Sequence, residues 1–281
     1  MSSSIEREEC AAKYNEKEKP RKAIFRRARP SENEVTVRAE PVYPARTMKS
    51  LRLPLLLITS ALVLASCGTK RPPAPAQSGS GSVVMTRADL EAKAKAGDAS
   101  AQFELGAVYH DGTGEEKDFK KAIEWFTKAA NQGDVRAQFN IGVMYYMGES
   151  VKQDFDIARG WFEKAAAKNN ARAEFNLGVM YYRGEGVKQD FKKAMEYFTQ
   201  AALQNFNEAQ FNLGVMYAKG EGIEVDMGRA YAWFSVAKDN GNPRAEEVLK
   251  SIERGLKPED TKIVQQLTED LRAELKKRNT Q

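Results

Sequence analysis

The chain has 281 residues, with 44 lysines and arginines against 39 aspartates and glutamates. Its formal charge of +5 arises in the first 66 residues, where 13 basic side chains face 8 acidic ones; the remaining 31 of each sign cancel, so the body carries no nucleic-acid footprint. The two cysteines, Cys10 and Cys67, leave the body without a thiol, which excludes a disulfide-stapled fold.

Residues 1–47 are polar and charged without hydrophobic periodicity, and are expected to form a disordered leader. At Met48 the pattern changes. Lys49 and Arg52 form a positive region, Leu53 to Leu64 an apolar run, and the order matches a secretory signal over 48–66. Leu53 to Ser66 is 14 residues, or about 21 Å of helix, too short for a hydrocarbon core of about 30 Å. Leu64-Ala65-Ser66-Cys67 resembles the bacterial lipobox, which implies cleavage before Cys67 and lipidation of its thiol. The resemblance also implies the outer membrane, facing the periplasm, in a Gram-negative cell, because Gly68 stands where an aspartate would retain the protein on the inner membrane. Two accounts of the leader stay open: translation begins at Met48, or residues 1–47 are a long pre-region. Residues 67–84, with Pro72, Pro73, Pro75, Gly79 and Gly81, read as the lipidated cysteine and a tether.

Thr86 and Asp89 have the spacing of a capping box, predicting a capping helix over 85–96. A 36-residue repeat follows, in the units 97–132, 133–168, 169–204 and 205–240. Each opens with a helix A marked by Ala137, Ile141, Gly142 and Tyr145 in the second unit. A helix B follows, marked there by Ala158, Trp161, Phe162 and Ala165. On a helical wheel helix A is apolar on two faces, Ala137, Ile141, Met144 and Tyr145 on one and Phe139, Val143 and Tyr146 on the other, so it must be covered from two sides. Helix B has one apolar face and belongs outside. Glycines such as Gly148 and Gly184 mark the turn between them, Ser150 replaces the second turn glycine and predicts a tighter turn, and Asp118, Asp154, Asp190 and Asp226 are placed to cap each helix B.

These markers, in register from Gly97 to about Asn240, are similar to the Sel-one-like repeat, a branch of the tetratricopeptide-like α/α solenoids. The resemblance implies an all-α right-handed superhelix whose A helices line a concave groove, and a non-catalytic adaptor role. After the repeats, Asn242-Pro243 reads as N-cap and first turn of a fifth helix A, and Pro258 starts a last helix. Its stripe Ile263, Leu267, Leu271 and Leu275 is expected to cap the end of the array, so that 241–281 forms a half repeat and a capping helix.

Enzymatic signals are thin. His110 has no cysteine or second histidine near it, so no metal site is read. Ser235-Val-Ala-Lys238 matches the S-x-x-K of penicillin-recognising enzymes without the accompanying S-D-N or K-T-G. No cofactor is expected, and the oligomeric state is not legible. What remains is a surface. The polar windows of helix A recur as Gln102, Gln138, Glu174 and Gln210, and as Glu104, Asn140, Asn176 and Asn212. Either these amides bond the backbone of an extended peptide, or each bonds a neighbouring helix or turn. The favoured function is a lipid-anchored envelope scaffold that recruits an envelope protein or peptide; the alternative is a cell-wall enzyme or accessory factor.

Overall fold

The computed structural model describes residues 86–113, 116–149 and 151–280, and every regular element among them is a helix. The leader, the signal, Cys67, the tether and the turn positions Gly114 and Ser150 lie outside the described residues. In chain order the helices are α1 (Arg87–Lys95), α2 (Ala99–Asp111), α3 (Phe119–Asn131), α4 (Val135–Met147), α5 (Phe155–Ala166), α6 (Ala171–Arg183), α7 (Phe191–Leu203), α8 (Asn207–Lys219), α9 (Met227–Asp239), α10 (Ala245–Glu253) and α11 (Pro258–Asn279). From α2 to α9 they alternate as A and B helices, each packing on its neighbours in sequence.

The boundaries follow from capping. Thr86 accepts from the Asp89 amide while Asp89 bonds back to the Thr86 amide, completing the capping box of α1. Asp118, Asp154, Asp190 and Asp226 each accept from the amide three residues on, satisfying a donor that the first helical turn leaves free. At the other end of each A helix the chain turns left-handed, as at Gly184 with φ 73°. Asn169 and Asn205 take the left-handed corner at the unit boundary that glycine takes elsewhere, with φ 58° and 63°.

The core is built between neighbours. Phe103 of α2, Phe126 of α3 and Ile141 of α4 share one buried cluster, so each outer helix is sandwiched between its own A helix and the next. Helix A is covered on two sides as expected: Ala137, Ile141 and Met144 are buried, Phe175 is buried, and Phe139 is half-buried. Each pair is locked by one contact. A Cβ placed on Gly106, Gly142, Gly178 or Gly214 would come within 2.6 to 2.7 Å of a ring carbon of Phe126, Phe162, Phe198 or Phe234. Glycine is therefore required there by a phenylalanine that is itself buried in every repeat.

The C-terminal helices differ from the sequence expectation in two respects. Asn242 accepts from the Arg244 amide, two residues on, so Pro243 and Arg244 form a turn and α10 begins at Ala245. The buried seam of α11 is Val264, Thr268, Leu271 and Leu275, with Leu267 and Ile263 only half-buried. Thr268 fits that seam because its hydroxyl donates to Val264 O at 2.7 Å. α10 packs on the Ala230, Phe234 and Ala237 side of α9. α11 instead covers Ala232, Trp233 and Val236, the face that carries charge in the other B helices.

Candidate functional site

The A helices present one stripe in register, polar except at Met147: Ser100, Glu104 and Asp111 in the first repeat, Arg136, Asn140 and Met147 in the second, Arg172, Asn176 and Arg183 in the third, Glu208, Asn212 and Lys219 in the fourth. These positions are spaced four and then seven residues apart along each helix, hence one face.

Beside this stripe, the glutamine windows are not open to a ligand. Gln102, Gln138 and Gln210 are buried, and each Nε2 donates to a carbonyl at the C-terminus of the preceding outer helix: Ala94 O at 3.1 Å, Ala130 O at 3.2 Å and Ala202 O at 3.0 Å. Each of those carbonyls lies in the last turn of its helix, where it accepts from the amide three residues on, of Gly97, Gly133 or Asn205, and has a second lone pair for the side chain, which explains why an amide recurs at the fourth residue of helix A. The amide oxygen is used from the following outer helix. Gln132 Nε2 donates to Gln102 Oε1 at 2.7 Å and Asn240 Nδ2 to Gln210 Oε1 at 2.9 Å, so the side chain stitches three successive helices.

Two repeats break the stitch. In the second, Lys168 stands at the Gln132 position and donates to Gly133 O at 2.8 Å, leaving the buried Gln138 Oε1 without a partner among the described residues. In the third, Glu174 replaces the glutamine. It is 3% exposed and accepts from Gln204 Nε2 at 2.7 Å, and burial pushes its carboxyl above the usual carboxylate range, the Gln204 bond opposing.

The asparagines of the stripe differ from one another. Asn176 is buried and donates to Arg172 O, one turn earlier in its own helix, at 3.0 Å. Asn140 and Asn212 are half-buried, and neither side chain is hydrogen-bonded among the described residues. Asn212 lines a notch between α6 and α8 with Val179, Tyr182, Arg183 and Val215. An amide with its donors and acceptor free beside valine side chains can bond a peptide backbone while its neighbours receive an apolar side chain.

Sequence reasoning missed a second series of links. Tyr146 donates to Glu185 and Tyr182 to Glu221, the latter at 2.7 Å, tying the end of one A helix to the turn of the next repeat. Burial and the Glu221 carboxylate push the Tyr182 hydroxyl well above its ordinary value. His110 occupies the tyrosine position in the first repeat, within 3.1 Å of Glu149 and 2.8 Å of Asp111. The recurrence of glutamate after the turn glycine, at Glu149, Glu185 and Glu221, was the available signal. Ser235 is buried, and its hydroxyl donates to Tyr231 O at 2.9 Å. Among the described residues no cluster of three metal-ligating side chains is found, and no helix is long and apolar enough to cross a membrane.

The repeats match the Sel1 repeat over 99–134, 135–170, 171–206 and 207–242, just over half of the chain. Protein L18 of Acanthamoeba polyphaga mimivirus, a sel1-like repeat-containing protein, is 43% identical over 44 residues, 16% of this chain and 8% of that one. Among solved structures, a protective antigen of uropathogenic Escherichia coli displaying an SLR fold superposes with a TM-score of 0.55 at 40% identity, covering 56% of this chain and 34% of the antigen. A Sel1 repeat protein from Oxalobacter formigenes superposes with a TM-score of 0.55 at 32% identity, covering 60% of this chain and 70% of that one. The chain thus spans a third of the antigen and less than a tenth of the mimiviral protein. Sel1 repeat proteins are generally protein-interaction scaffolds. Four consecutive matches, laid on four helix pairs with one shared locking contact, place this chain in the Sel1 repeat family.

Proposed function

We propose that the protein is a non-catalytic scaffold, anchored in a bacterial envelope through lipidated Cys67, that captures an extended segment of an envelope protein on its A-helix stripe. The observation that carries the binding reading is the contrast within the polar windows. The glutamines are consumed by the fold, whereas Asn140 and Asn212 stand half-buried on the stripe with no side-chain hydrogen bond among the described residues. The Leu-Ala-Ser-Cys sequence supports the anchor, and the glycine after it supports the outer membrane.

The test is capture of partners by in-cell crosslinking. Asn140→Ala with Asn212→Ala should reduce capture, each lost neutral hydrogen bond being worth about 0.5 to 1.5 kcal/mol. Thermal stability should stay within about 0.5 kcal/mol, as for surface positions. Adding Asn176→Ala should add little to the loss of capture, since that amide is spent on Arg172 O. Undiminished capture by the double variant refutes the stripe as the site. Metabolic labelling with palmitate tests the anchor separately: a wild-type chain without label, or a Cys67→Ala chain that keeps it, removes the lipid from the reading.

A further inference from the structure

The array shows in its last repeat what its outer surface can hold. α9 departs from the other B helices where α11 covers it: Ala232 stands where α3, α5 and α7 carry Glu124, Gly160 and Glu196, and Val236 where they carry Lys128, Lys164 and Gln200. Over these residues and Trp233 lie Leu271 and Leu275, with Leu267 beside them, in a buried cluster that continues into Ala202 and Leu203 of α7. Arg272 flanks the leucines and binds Asp239 Oδ2 at 2.8 and 2.6 Å through two nitrogens.

One repeat upstream the equivalent place is an open cleft of about 790 Å³ between α5 and α7. Tyr197 takes the position of Trp233, Gln200 that of Val236 and Leu203 that of Asp239; Ala166 and Ala167 form the opposite wall, and Leu177 and Glu174 also line it. The other outer aromatics have cover. Lys128 lies over Trp125 at 3.8 Å and Lys164 over Trp161 at 3.9 Å, while α11 buries Trp233. Tyr197 stacks one face on the Tyr181 ring, with centroids 5.6 Å apart, and Gln200 has no charge with which to cover the other.

We infer that the cleft between α5 and α7 docks an amphipathic helix of a partner protein, one that presents leucine-class side chains a helical turn apart with a lysine or arginine beside them. The apolar side chains meet Leu203, Ala166 and the Tyr197 ring, as those of α11 meet Trp233 and Val236. The basic residue is dictated by charge. Glu163 lines the cleft with its only ion pair among the described residues a 3.6 Å approach to Arg159, and Glu174 is a buried carboxyl bonded to a neutral amide. A cation brought alongside supplies the partner that burial denies it. This surface shares no residue with the asparagine stripe, so either reading can fail alone.

The structure supplies its own probe, a fluorescein-labelled synthetic peptide with the sequence of residues 258–279, titrated into the full chain and followed by fluorescence polarisation. Saturable binding is expected even though α11 of the chain is in place. Gln200→Val, which gives α7 the residue that α9 uses, should tighten it about threefold to tenfold through added apolar contact. Glu163→Lys should weaken it by a similar factor and Leu203→Lys by more. Gln200 and Glu163 are exposed, so those two variants leave the core intact. No saturable binding overturns the inference. Binding indifferent to both exposed-site variants overturns it as well, because the peptide would then be exchanging with α11 on α9.

Discussion

Gly178→Ala isolates the contact on which each repeat is built. The new methyl would stand 2.6 and 2.7 Å from Phe198 Cδ1 and Cε1 and 3.2 Å from Cγ, against an ordinary contact of 3.4 to 4 Å. Phe198 is 1% exposed and also touches the Phe175 ring, with centroids 5.6 Å apart, so the ring can retreat only by disturbing the cluster it anchors. Alanine gains about 1 kcal/mol of helix propensity over glycine, while overpacking a well-filled core costs about 1 to 3 kcal/mol. With the ring buried on the scale seen here the cost falls toward the upper end, and a net loss of about 1 to 2 kcal/mol is expected. Gly160→Ala is the internal control. It sits within a helix with nothing inside 4 Å of an added Cβ, so the same substitution should stabilise by up to about 1 kcal/mol. Urea unfolding of the full chain followed by far-UV circular dichroism reads both as shifts in midpoint at constant slope. A Gly178→Ala chain as stable as the wild type would refute the lock, and equal effects at the two sites would refute the distinction drawn between the two glycines.

The interrupted stitch between repeats yields two more expectations. Lys168→Gln should restore the donor that Gln138 Oε1 lacks while keeping a bond to Gly133 O, as Gln132 bonds both Gln102 Oε1 and Gly97 O. A gain of about 1 kcal/mol, read as a melting temperature about 2 to 4 °C higher, is expected; an unchanged or lower melting temperature counts against it. Glu174 is an acid whose folded pKa is raised above its ordinary value of 4.5, so the folded state binds the extra proton and stability declines as pH climbs above 4.5 through the folded pKa. Glu174→Gln should remove that decline and stabilise the protein at neutral pH; parallel stability profiles for variant and wild type between pH 4 and 8 would contradict it.

The period, the two-faced A helices and the aspartate caps were legible because they depend on spacing along the chain, whereas the seating of Phe162 on Gly142 was not, since the two lie on different helices. Nor were the polar windows. A wheel gives the direction of Gln138 but not that the preceding helix ends there, with the Ala130 carbonyl able to take a side-chain donor besides the Gly133 amide. The asparagine positions share a face, yet Asn176 turns back to Arg172 O while Asn212 does not, a choice of rotamer that no residue pattern encodes. The placement of α11 was in the sequence but in the wrong helix to be noticed. Its own stripe said only that it needed cover, while Ala232 and Val236 in α9, standing where other B helices carry charge, said where.

Residues that are invariant across the units account for the fold, so whatever distinguishes this solenoid must lie in the departures from its own repeat. His110 changes a tyrosine link into one between an imidazole and two carboxylates, and Ala218 ends that series before the last turn. The more telling departures fall together. Glu174, where other repeats have glutamine, and Gln200, where two others have a lysine over an aromatic ring, border one cleft, and Lys168, which leaves Gln138 unsatisfied, immediately precedes Asn169 on its wall. A stack selected only for stability would have kept the glutamine stitch at every junction, since each intact copy satisfies three helices at once. Here the stitch is incomplete on both sides of α5, and the adjoining outer cleft is the one whose aromatic neither a lysine nor α11 covers. The array therefore gives up internal hydrogen bonding beside the cleft that we propose receives a helix from outside.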